Sequence, residues 1–146
     1  MLIVIEMKSI AKPWNALSEA VVSLIREYKL ERRVVVSAFN PMALRHVRRI
    51  APEIPVGLIV APAEPKWLRI LFSRLVRFDT IYPHVSLVSR EMIRRQHHNG
   101  SRVMIWTLNE AEQIEKFVRF GVDGVITDAP EVARKVIREL LSEVVK

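Results

Sequence analysis

Val34-Val35-Val36-Ser37-Ala38-Phe39 runs directly into Asn40-Pro41, and this junction decides the fold. The run is β-branched and nearly continuous in apolar residues rather than alternating. That is the pattern of a strand covered on both faces, as in parallel sheets. Asn40 is a good helix N-cap, and proline is at home in the first helical position. Residues 33–50 therefore read as one strand followed by one helix.

The same unit recurs in both directions. Apolar runs predict strands at 2–7, 33–39, 56–60, 80–82, 102–108 and 124–127. Between them, helical periodicity predicts helices at 14–28, 41–50, 65–76, 89–98 and 110–120, with a last helix from 130 to the C-terminus. Ser89 and Asn109 are read as N-caps, and Asn99-Gly100 and Gly121 as helix ends. Asp128 reads as a cap of the last helix. The chain is thus a βα unit repeated six times. Right-handed crossovers make such a chain either a doubly wound sheet or a barrel. No linker or low-complexity tract divides its 146 residues, so residues 1–146 are expected to form a single domain.

Half of the residues are apolar, enough for a packed core. The net charge of +7 favours anionic partners without naming one. The absence of cysteine excludes disulfides and thiolate metal sites. No apolar run approaches the roughly 20 residues of a membrane span, and Met1–Lys8 has no signal-peptide pattern, so a cytoplasmic location is expected. There is no Gly-rich phosphate loop and no zinc spacing, which leaves charge alone as an argument for nucleic acid.

Glu6 and Lys8 lie two apart on the first strand and so share a side. A carboxylate suits a hard cation such as Mg²⁺ or Ca²⁺, and an ammonium suits a phosphate oxygen. Ser37 and Phe39 share one side of the second strand near its C-terminal end. The adjacent His97 and His98 diverge by about 100° on a helix and are read as solvated. His46 reads the same way, on a basic helix face with Arg45, Arg48 and Arg49. His84 follows a strand end and is read as a surface loop residue. Over 66–77, Lys66, Arg69, Arg74 and Arg77 fall on one side of a helix. Leu68, Leu71, Phe72 and Leu75 fall on the other, which reads as the apolar side of an outer barrel helix, with a basic amphipathic helix on an anionic membrane surface as the alternative.

Four stretches together resemble the glycerophosphodiester phosphodiesterase family. They are Ile5-Glu6-Met7-Lys8, Val34–Phe39, Val103-Met104-Ile105-Trp106-Thr107-Leu108-Asn109, and Gly121-Val122-Asp123-Gly124-Val125-Ile126-Thr127-Asp128-Ala129-Pro130. The resemblance implies a TIM-barrel-like fold with six of its eight βα units present and the two N-terminal ones missing. It implies metal-dependent hydrolysis of glycerophosphodiesters to an alcohol and glycerol 3-phosphate. Glu6 and Lys8 match the family's E-x-K motif, so Glu6 is implied as a metal ligand and Lys8 as the phosphate contact. Trp106 is implied as a wall of the glycerol pocket, with Ser37 and Phe39 as further substrate contacts. The family's H-R-G, E-x-D and H-D motifs, which carry its histidines and other metal ligands, occur nowhere in the sequence. The expectation is a chain that binds a divalent cation poorly and is inactive alone. The alternative is a non-catalytic phosphate-binding or oligomeric domain of the same ancestry. Open first and last strands predict pairing with a second copy or with a complementing N-terminal fragment.

Overall fold

The computed structural model describes residues 2–8 and 14–144. Six strands and six α-helices alternate: β1 (Ile3–Glu6), α1 (Trp14–Glu27), β2 (Val34–Ala38), α2 (Pro41–Ile50), β3 (Val56–Val60), α3 (Lys66–Leu75), β4 (Thr80–Pro83), α4 (Arg90–His98), β5 (Arg102–Ile105), α5 (Ala111–Phe120), β6 (Gly124–Val125) and α6 (Pro130–Val144). The strands follow one another in sequence order, the arrangement of a TIM-barrel-like fold and not of a doubly wound sheet. The chain divides into two compact units, Met1–Ile81 and Tyr82–Lys146, with the division inside β4.

In the first unit, β1 and β2 are parallel with Ile3 opposite Val34 and Glu6 opposite Ser37, and β2 is parallel to β3. Every residue of β2 and β3 is buried, as their unbroken apolar runs require. The Asn40 carboxamide accepts the Met42 amide at 2.9 Å, and Pro41 opens α2 as expected. Ala43, Leu44 and Val47 turn one side of α2 inward, where all three are almost fully buried. His46 goes with them. It is 7% exposed, not solvated. Arg49 Nη2 donates to its Nδ1 at 2.8 Å, which leaves Nε2–H to face Glu19 Oε1 at 3.2 Å.

In the second unit, β5 and β6 are parallel, with Met104 opposite Gly124. The core is Ile93, Val103, Ile105, Leu108 and Ile114, each at most 1% exposed. The Ser89 hydroxyl accepts the Met92 amide and caps α4. Gly121 ends α5 at φ +92°, a conformation that costs glycine little. β5 and β6 stop short of the predicted lengths: past Ile105 the backbone continues as an isolated parallel bridge between Trp106 and His84, and the Leu108 amide donates to the Ile126 carbonyl at 3.0 Å. A 3-10 turn, Val85–Leu87, follows β4 where a plain loop was expected.

Candidate functional site

β1 carries the first set of site residues. Ile3, Ile5 and Met7 turn to the covered side, and Met7 is 3% exposed. Val4, Glu6 and Lys8 turn to the other side, and all three are exposed. Strand alternation therefore presents the carboxylate and the ammonium together on the open side of β1, at its C-terminal end. The Met7 amide donates to the Ser37 carbonyl at 2.8 Å and fixes this end of β1 against β2. Ser37 sits opposite Glu6 in the register but is itself buried, its hydroxyl donating to the Ile5 carbonyl at 3.3 Å. Phe39, just past β2, is 37% exposed.

In the second unit, Trp106 is half-buried just past β5. Its indole N–H donates to the Tyr82 carbonyl at 2.8 Å, and the His84 ring meets it edge-on at 5.0 Å between centroids. His84 is more ordered than a surface loop residue would be. Its Nδ1 accepts from the Ser86 amide, and the Val85 amide donates to the Trp106 carbonyl. Tyr82, His84 and Trp106 thus form one cluster at the ends of β4 and β5.

A second group at the strand ends replaces two predicted caps. Asn109 does not cap α5; Glu110 occupies that position without a side-chain bond. The Asn109 Oδ1 instead accepts the Asp128 amide at 2.9 Å and the Thr127 hydroxyl at 3.1 Å, while its Nδ2 donates to Asp128 Oδ2. Thr127 accepts the Ala129 amide at the start of α6, the role expected of Asp128. The asparagine prefers two acceptor contacts across the strand ends to one with its own helix. His97, read as solvated, is bonded to Asp123 Oδ2 at 2.7 Å.

Among the described residues, no three histidine, aspartate or glutamate side chains gather in one place. Mg²⁺ or Ca²⁺ takes six or more oxygen ligands. Glu6 is a single carboxylate, so these residues do not by themselves fit a divalent cation. No described helix is long and apolar enough to cross a membrane.

The open-sided Glu6–Lys8 pair, the Trp106 cluster and the sequential βα order together describe one class of chain. The sequence model of the glycerophosphoryl diester phosphodiesterase family matches residues 2–132, and the chain belongs to that family. A glycerophosphodiester phosphodiesterase of Caldanaerobacter subterraneus subsp. tengcongensis is 32% identical over 140 residues, which are 94% of this chain and 56% of that protein. The chain spans between 39% and 56% of the length of the curated relatives it matches. Among solved structures, a Parabacteroides distasonis glycerophosphodiester phosphodiesterase superposes with a TM-score of 0.77 at 20% identity, covering 96% of this chain and 58% of that one. A phosphodiesterase of Oleispira antarctica, solved with its product sn-glycerol-3-phosphate, superposes with a TM-score of 0.78 at 22% identity over 94% of this chain and 56% of that one.

Proposed function

We propose that this chain supplies the phosphate-contacting part of a glycerophosphodiester-hydrolysing site. The observation that carries this reading is the pairing of Glu6 and Lys8 on the open side of β1, at the strand end where barrels of this kind build their sites. The Lys8 ammonium binds a phosphoryl oxygen of the diester, and it offsets the negative charge that develops there during cleavage. Glu6 offers one carboxylate toward a divalent cation, Mg²⁺ or Ca²⁺, whose other ligands lie outside these 146 residues. Phe39 offers an apolar surface to the glycerol carbons, and Ser37 supports the strand that carries it; the family resemblance assigns Trp106, in the second unit, the same role.

The acid and base that hydrolysis needs also come from outside the chain. Leu2 and Val4, on the same side of β1 as Glu6, are 50% and 42% exposed. A complementing N-terminal segment that pairs along β1 covers them and brings the missing groups. The alternative is a domain that binds phosphate-bearing ligands without turnover. It draws support from the lone carboxylate at the β1 end.

Titration of the full chain with glycerol 3-phosphate, followed by a glycerophosphocholine assay with Mg²⁺ or Ca²⁺, tests the proposal. Saturable binding is expected. Lys8→Ala should weaken it by at least about tenfold, the worth of one hydrogen bond to a charged group. No turnover is expected from this chain alone. Binding unchanged in Lys8→Ala sinks the site, and turnover at the rate of a complete barrel sinks the claim that the acid and base lie elsewhere.

A further inference from the structure

The α3 helix differs from what an outer barrel helix should be. None of its residues is buried, whereas α2, of the same length, buries five. At 100° per residue, Lys66, Trp67, Ile70, Leu71 and Arg74 share an arc of about 140°. All five are exposed, Trp67 by 66%, Ile70 by 45% and Leu71 by 44%. Leu68, Phe72 and Leu75 occupy the opposite side and are half-buried. Leu71 therefore does not join the inner apolar side that the sequence periodicity assigns to it. Arg69 does not join the outer basic side either. It is half-buried, and its guanidinium donates to the carbonyls of Pro62 and Glu64.

The outer face has an apolar centre of one tryptophan and two aliphatic residues, flanked by Lys66 and Arg74. Arg77 follows directly, also exposed. The helix contains no acid, and none of these three cations forms an ion pair with a described residue. Tryptophan prefers the boundary between lipid headgroups and hydrocarbon, and a basic amphipathic helix lies in that plane when the lipids are anionic. Contiguous exposed apolar side chains of this kind mark interaction surfaces.

We propose that α3 docks the protein on an anionic phospholipid surface, with Trp67, Ile70 and Leu71 inserted at the headgroup boundary and Lys66, Arg74 and Arg77 against lipid phosphates. Charge complementarity selects this occupant. A second copy stacked α3 on α3 would bring the same unpaired cations face to face. A nucleic acid would satisfy the cations and leave Ile70 and Leu71 in water. The proposal does not depend on hydrolysis, and diacyl lipid vesicles report it without turnover.

The test is co-sedimentation of the full chain with phosphatidylcholine vesicles, with and without phosphatidylglycerol, alongside the Trp67 emission shift. Binding is expected only with phosphatidylglycerol and should weaken as salt rises. Each basic residue near the surface contributes about fivefold, so Lys66→Gln with Arg74→Gln should weaken binding by about 25-fold. Trp67→Ala should weaken it without loss of fold, which circular dichroism checks at this exposed position. Equal binding to both vesicle types, or none, overturns the proposal. So does a dimer in sedimentation velocity that Leu71→Ala dissolves, which would make α3 a contact between copies.

Discussion

Asp79 and Asp123 hold the same post in the two units, each next to a different side-chain partner. Asp79 precedes β4. Its amide donates to the Val56 carbonyl at 2.9 Å, and its Oδ2 accepts the Val56 amide at 2.8 Å. Asp123 precedes β6 and treats Val103 identically, at 2.9 and 2.7 Å. Each aspartate thus closes the start of a parallel strand pair, where the ladder would otherwise leave a buried amide without an acceptor. In the first unit the second partner of the carboxylate is Arg48, at 2.6 Å, which also donates to the Pro52 and Arg77 carbonyls. In the second unit it is His97 alone, at 2.7 Å. The Arg48 guanidinium spreads over three acceptors, and the His97 imidazole holds this one. The clamp on the strand is fixed by backbone geometry, and the side chain that steadies it differs between the two units.

The comparison breaks most visibly at Asp79. Asp79→Ala strands the fully buried Val56 amide and leaves a guanidinium that cannot discharge. The expected loss is about 3 kcal/mol, most of it from the orphaned amide, since the half-exposed ion pair is weakened by solvent. Urea denaturation measures it, and a loss below about 1 kcal/mol would show that Asp79 does not hold the strand pair. Asp123→Ala strands the equally buried Val103 amide, but its His97 partner is exposed enough to bond water instead. About 2 kcal/mol is expected in the same measurement, with the order of the two variants as the deciding result. A larger loss at Asp123 would mean that the side-chain partner, and not the strand amide, sets the strength of the clamp.

Much of this architecture was legible before any coordinates. β3 and α2 have the predicted bounds, and Asn40, Ser89 and Gly121 do the local work their types suggest. Those features depend on neighbours in sequence. What escaped depends on groups far apart in the chain. Nothing local marks His46 as a residue that Glu19 and Arg49 hold in place, or Asn109 as a latch to Thr127 and Asp128 instead of a cap. The clamps had a faint signal, an aspartate directly before a β-branched strand in Phe78-Asp79-Thr80-Ile81 and Val122-Asp123-Gly124-Val125. The α3 periodicity finds the inner side of Leu68, Phe72 and Leu75 but not the departures at its edges, where Leu71 turns outward and Arg69 inward, and it places Trp67 and Ile70 on neither side. At the site, spacing alone predicts that Glu6 and Lys8 share a side, but not that this side is the open one.

The smallest effect contrasts Asp79 with another acid of the first unit. Asp79 has its cation on the carboxylate, whereas Arg69 spends its guanidinium on the Glu64 backbone carbonyl and the Glu64 carboxylate is bonded to the Ala61 backbone amide instead of to a cation. Burial holds the Glu64 carboxyl above the ordinary glutamate value of 4.5, against the opposing charge of Arg69. A carboxyl whose pKa is raised on folding binds protons more tightly in the native state. Its stabilising contribution is full below 4.5 and is lost as pH rises through the higher native value. Glu64→Gln removes that loss. The variant should be more stable than the parent at neutral pH by a few tenths of a kcal/mol, the scale left for a half-buried group after solvent screening. The gain should vanish as pH falls to the ordinary glutamate range. Thermal melts of both proteins across that range decide it. A gain that persists in acid would trace to packing, and a loss at neutral pH would mean that the Glu64 carboxylate is held as firmly as that of Asp79.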